Sequence, residues 1–187
     1  MRMDELPEFI QHHIGDSKDI EFMGGHWSLE GLSIDPIQIG SVMIDLSPTR
    51  HLVIMLVVAV LLLATFIPLA GALRKKDKEK APSGFANAME AMILYFRDDV
   101  VRTNIGHDAD AFTPFILTLF FFILGMNLIG LTPLGITPTA NVSVTAALAL
   151  ISFIVTEVAG FRALGPAGYA RTILFLPPGL PGFMKLP

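Results

Sequence analysis

Three apolar runs, at 52–73, 112–134 and 142–164, constrain this chain more than anything else in it. Each reaches the roughly 20 apolar residues that carry a helix across a hydrocarbon core about 30 Å thick. Inside lipid no water is available to backbone amides, so each run must satisfy its own and is expected to be helical. Pro68 and Pro114 fall towards the ends of their runs, where a missing amide donor disturbs a helix least. The competing reading is three buried helices of a soluble protein. It requires enough further chain to wrap them, and the rest of the 187 residues does not supply it. The balance of 52% hydrophobic to 16% charged residues agrees, since soluble domains carry about a quarter charged residues.

Charge orients the runs. Arg74, Lys75, Lys76, Lys78 and Lys80 follow the first run directly, whereas residues 1–50 hold Arg2, Lys18 and Arg50 against nine acids. Cytoplasmic loops gather Lys and Arg, so the N-terminus is expected outside and the basic loop in the cytoplasm. Three crossings then leave the C-terminal segment inside, where Arg162, Arg171 and Lys185 are expected in the inner loop and tail. The connection between the second and third runs carries no charge.

From Phe85 onward, apolar residues recur at Ala88, Met89, Met92, Ile93, Phe96, Val100 and Val101, which is helical spacing. Asn87, Glu90, Arg97, Asp98 and Arg102 fall largely elsewhere on the wheel. The segment is too polar to cross, and a helix over about 85–103 is expected to lie along the cytoplasmic face of the membrane. The alternative is a soluble helix within a loop. Ala81-Pro82-Ser83-Gly84 offers its start, and Asn104-Ile105-Gly106-His107 its end. The expected fold is therefore all-α: a multi-pass membrane protein with three transmembrane helices and one interfacial amphipathic helix. Residues 1–50 show no sustained period and are expected to form an extracytoplasmic segment of short elements; 51–187 form the membrane domain. The tail from Thr172 is apolar, but Pro177, Pro178 and Pro181 bar a regular span.

Enzyme chemistry has no foothold. Phosphate-binding loops, nucleophile motifs and zinc-protease motifs are missing, so no catalytic residue and no cofactor are expected. No cysteine is present, which excludes disulfides and thiolate metal sites. His12, His13 and His26 fit no recognised metal spacing and read as solvated. His107, Asp108 and Asp110 read as a hydrated turn before the second run. A net charge of −4 without a basic aromatic patch argues against nucleic acid.

The polar residues within the runs are the better lead. Glu157 sits in the third run, and an ionisable group there is by default a functional hypothesis; its other reading is a side chain reaching interfacial water within two turns of the helix end. Asn127 lies deep in the second run, where an amide either bonds a neighbouring helix or lines a wet cavity. Asn141, Ser143 and Thr145 open the third run, ordinarily as a cap and small packing residues.

These residues carry a resemblance. Phe120 to Pro133, with its Asn127-Leu128-Ile129-Gly130-Leu131-Thr132-Pro133 ending, and Thr137 to Leu150, with Thr139-Ala140-Asn141-Val142-Ser143-Val144-Thr145 at its centre, resemble the second and third spans of subunit a of the F-type ATP synthase. Ala88 to Asp99 looks like the interfacial helix of that family, and the likeness covers roughly residues 50 to 187. The resemblance implies a non-catalytic, proton-conducting membrane subunit, set beside the c-ring and the peripheral-stalk b subunits in the bacterial inner (plasma) membrane. Two offset half-channels would pass protons as the proton-motive force drives ATP synthesis. Each charge crossing 100 mV supplies about 2.3 kcal/mol.

Asn127 matches a family position on the outer aqueous path, and Asn141 and Glu157 are the further proton-path candidates. Where relatives often carry an acid or polar group three residues after that asparagine, this chain has Gly130. The family's ring-facing arginine lies in a Leu-x-x-Arg-Leu-Phe-x-Asn motif on a later helix, and residues 1–187 contain no such motif. A fragment of a conducting subunit is one expectation; a truncated or structural subunit that scaffolds the stalk without conducting is the other.

Overall fold

A computed structural model describes residues 15, 18–22, 25–40, 42–74, 84–132 and 135–173. The expectations for His12 and His13, for the basic residues Lys75 to Lys80 and for the proline-rich tail lie outside the described residues, as does the side chain of His26. The chain divides between Asn141 and Val142 into two units.

The first unit begins with two short antiparallel hairpins. β1 (Asp19–Phe22) pairs with β2 (Gly25–Ser28), and β3 (Ile37–Ile39) pairs with β4 (Val42–Ile44). Ser47 ties this segment together: its hydroxyl accepts from the Ile34 amide and donates to the Ile34 carbonyl, at 3.1 and 3.2 Å.

Helix α1 (Arg50–Arg74) contains the first apolar run and extends about 37 Å at the usual rise, ample for a bilayer. Its first turn is not free. Arg50 and His51 are buried, and both bond the carbonyl of Gly15, at 3.3 and 3.2 Å. Helix α3 (Ala109–Gly130) lies against α1. Phe66 packs against Phe121 with ring centroids 4.7 Å apart and the rings tilted by 57°, while Val58 faces Gly125. Numbers rise along one helix as they fall along the other, so the pair is antiparallel. Val58, at 1% exposure where it meets Gly125, marks the seam between them.

Burial is otherwise sparse. Only 17% of the apolar window in each of α1 and α3 is buried, and Leu56, Val60, Leu63 and Ile67 stand exposed along α1. A soluble protein does not leave whole apolar helix faces uncovered; a bilayer covers them. Three helices among the described residues are long and apolar enough to cross one.

Helix α2 (Phe85–Tyr95) starts at Gly84, whose φ of 63° favours glycine, and it continues into a π-helical stretch, Phe96–Arg102, and a last turn, Thr103–Ile105. Gly106, at φ 79°, ends it. Phe96 docks on Phe120 of α3 at 4.1 Å between centroids, and Val101 is buried. A sustained π stretch is rare. Here side chains assist it: the Thr103 hydroxyl donates to the Asp98 carbonyl at 3.2 Å, and the Asn104 amide to the Val100 carbonyl at 2.6 Å. An apolar cavity of about 460 Å³ lies among α1, α2 and α3, lined by Leu62, Phe66, Ile93, Pro114 and Phe121.

The π stretch also arranges four charges. Asp98 accepts from Arg97 at 2.9 and 3.0 Å and from Arg102 at 2.8 Å, and Arg102 reaches on to Asp110 at the start of α3. Asp110 is thus more than part of a hydrated turn. Hydrogen bonds from Arg97, reinforced by the charges of Arg97 and Arg102, hold the Asp98 carboxyl below the usual carboxylate range against the opposing effect of burial. A carboxyl group held lower in the folded than in the unfolded state stabilises the fold above its unfolded value of about 3.9 and loses that contribution on acidification. Asp98→Asn should therefore lower the melting temperature of the detergent-solubilised protein at pH 7, by on the order of 2 °C for such exposed groups. The deficit should shrink progressively as the pH falls below about 3.9 towards the lowered folded-state value. A deficit that does not change with acidification would show that the carboxylate's charge is not what matters.

The second unit contains α4 (Val142–Ile173), broken at Gly165, whose φ of 68° and ψ of 165° are non-helical. Pro166 follows, with its fixed φ and no amide to donate, and restarts the helix. Arg162 and Arg171, expected in an inner loop, are both helical: Arg162 sits just before the break and Arg171 in the short arm after it. Leu164-Gly165-Pro166 stops the spanning part without ending helical structure.

Candidate functional site

Helix α3 ends earlier than the apolar run does. The Leu131 and Thr132 amides donate to the carbonyls of Leu128 and Ile129, three residues back, which tightens and closes the last turn. The approaching Pro133 in the sequence favours such a stop. Asn127 consequently lies in the last turn of α3, and its side chain is exposed.

Both ends of that amide are engaged. Asn127 Nδ2 donates to the carbonyl of Ile123 at 2.9 Å, within its own helix. Asn127 Oδ1 accepts from the Thr139 hydroxyl, also at 2.9 Å, from the connection that follows. Thr139 belongs to a single 3-10 turn, Pro138–Ala140, which packs against both α1 and α3. Pro138 and Ile136 are buried, and backbone bonds from Ala140 to Thr137 and from Asn141 to Pro138 close the turn at 2.9 and 3.0 Å.

Gly130 explains how the connection comes so near. A Cβ built there would overlap the Thr137 hydroxyl and lie 2.9 Å from the Thr137 Cβ. The space of a side chain at 130 is filled by Thr137, so glycine is required by close approach rather than by backbone conformation.

Asn127 and Asn141 therefore bracket the same turn, and Asn141 is 5% exposed. Glu157 lies in the second unit, about 22 Å along α4 from Val142. Its Oε1 accepts from the Tyr169 hydroxyl at 2.7 Å, and the Tyr169 ring lies over Gly160 and 4.6 Å from the Phe161 ring. Glu157 is thus tied to the arm beyond Gly165, a role that sequence reasoning missed because it depends on the chain turning back there. Arg50 and His51 were also unforeseen, since their burial depends on contact with Gly15.

The chemistry open to the first cluster is limited and specific. Asn127, Thr137, Thr139 and Asn141 are neutral donors and acceptors. They can orient water or lengthen a hydrogen-bonded chain, but none can store a proton near neutral pH. Among the described residues no group of three or more His, Cys, Asp or Glu side chains is placed to hold a metal.

Three long apolar helices, uncovered on most of their surface, define a membrane protein. The chain belongs to the ATP synthase A chain family, whose model matches residues 52–186. It is 40% identical over 158 residues to ATP synthase subunit a of Chloroherpeton thalassium, covering 84% of this chain and 46% of that protein. It is 37% identical over 176 residues to the protein of the same name from Anaeromyxobacter dehalogenans, covering 89% and 44%. With ATP synthase subunit a 2 of Chlorobium luteolum it shares 40% identity over 162 residues, covering 87% and 46%. The chain spans about half the length of the curated relatives it matches. No solved structure matches it.

Proposed function

We propose that this chain is part of the proton-conducting subunit a of a rotary F-type ATP synthase, contributing to the proton path beside the c-ring while the proton-motive force drives ATP synthesis. Its partners are then the c-ring, the stalk b subunits, the bilayer and protons. It lies in the bacterial inner (plasma) membrane with residues 1–50 outside, the 85–103 helix along the cytoplasmic face and the C-terminal segment inside. Family membership and the charge asymmetry about α1 support this reading.

The observation that carries the site is Asn127: an exposed amide in the last turn of an apolar helix, bonded to the turn that follows. In this orientation that end faces outward, and Asn127 with Asn141 lines the outer water path. Glu157, near the inner end of the spanning part of α4, is the ionisable candidate. Because the outer cluster is neutral, it conducts by orienting water and leaves proton storage to ionisable groups elsewhere.

Asn127→Leu in the full-length subunit, assembled in membrane vesicles stripped of the catalytic sector, should lower passive proton conductance about tenfold, since leucine can neither donate nor accept. Conductance per assembled complex equal to the parent's would remove Asn127 from the path.

A further inference from the structure

We infer that Thr139 is a positioning residue for proton conduction: its hydroxyl pins the Asn127 amide against the Pro138–Ala140 turn and so decides where its polar atoms meet the water path. The inference rests on the reading of Asn127 as a lining residue.

An asparagine amide can turn over about its last torsion, exchanging oxygen for nitrogen. Ile123's carbonyl accepts from Nδ2 at 2.9 Å and offers nothing to an oxygen, so it favours one orientation. Oδ1 then points to the Pro138–Ala140 turn, where the Thr139 hydroxyl donates to it at 2.9 Å. The carbonyl selects the orientation, and the hydroxyl, which can donate or accept, fixes the position of the amide from the other side. One N–H and one lone pair of oxygen remain for water. The hydroxyl oxygen of Thr139, having donated its proton to Asn127, can itself accept from water, which extends the polar edge from the helix onto the turn.

Thr139 is held in place by its surroundings. The turn that carries it is closed by two backbone bonds and anchored by buried Ile136 and Pro138, and Gly130 admits Thr137 against the helix end. Without the hydroxyl, Oδ1 loses its partner on the turn, and the amide, still bonded to the Ile123 carbonyl, is held from one side only. A proton path that depends on ordered donors and acceptors then loses order without losing its walls.

The test uses full-length subunit a in the assembled complex, in vesicles stripped of the catalytic sector, with conductance expressed per assembled subunit. Thr139→Val should lower passive proton conductance about three- to tenfold, the range one hydrogen bond commands. Thr139→Ser should restore it to within about twofold, because the donor returns. In an Asn127→Leu background, Thr139→Val should add no further loss, since the residue it positions is gone. Equal losses from Thr139→Val in both backgrounds, or a serine variant as impaired as valine, would overturn the positioning role while leaving Asn127 in the path. Full conductance in Asn127→Leu alone would overturn the lining role and this inference together. Thr139→Ala, which removes the hydroxyl without the branched bulk, serves if valine impairs assembly, and the same comparisons then decide.

Discussion

Cysteines introduced together at Val58 and Gly125 are expected to join in a disulfide on mild oxidation. A Cβ at Gly125 lies 4.0 Å from that of Val58, within the separation of about 3.5–4.5 Å that a disulfide spans. The chain has no cysteine of its own, so any new bridge is the engineered one. Cleavage within the connection between α1 and α2 should then leave fragments linked until reduced. The same closeness makes bulk costly. A Cβ at Gly125 already lies 2.7 Å from Val58 Cγ1, and Gly125→Leu should force α1 and α3 apart at their tightest point, destabilising the pair by about 1–3 kcal/mol. Thermal unfolding in detergent measures that loss, and Gly125→Leu with Val58→Ala should recover part of it. Failure of the cysteine pair to cross-link, with a leucine variant as stable as the parent, would mean the two helices do not meet along this seam.

That seam indicates what the sequence disclosed and what it withheld. The lengths of the apolar runs were enough to indicate spanning helices, because in lipid length and composition settle secondary structure almost unaided. Which residue of α1 would meet Gly125 was not legible: with apolar side chains on every side, periodicity marks no inner face. The π stretch at Phe96–Arg102 escaped for a related reason, since a search at 3.6 residues per turn cannot register a change of period. Arg102 meeting Asp110 follows from the tight turn at Gly106, and Thr139 meeting Asn127 from the absence of a side chain at Gly130. Both glycines were visible, but neither announced which polar pair it would unite. Asn127 itself stood out as an amide within an apolar run, and family likeness pointed it to the outer path; the physics of its neighbours came only from geometry.

Gly160→Leu should have its effect on the far side of Gly165. The Tyr169 ring occupies the space that a side chain at 160 would need, with a ring carbon 2.7 Å from the position of a Cβ. Leucine there must expel the ring, and with it the contact to Phe161 and the hydroxyl donor to Glu157. The arm 166–173 then loses the side-chain contacts that fold it back, and its amides should exchange with solvent on the order of tenfold faster. Tyr169→Phe separates the two contributions: it keeps the ring over Gly160 and removes the hydroxyl alone, so exchange should rise by only about two- to threefold. Glu157→Gln, which still accepts through its amide oxygen, should behave more nearly like the parent. Hydrogen exchange followed by mass spectrometry on the full-length protein reads all three. Unchanged protection in Gly160→Leu would mean the ring does not hold the arm. If Tyr169→Phe matched Gly160→Leu, the hydroxyl bond to Glu157 would be the whole of the attachment.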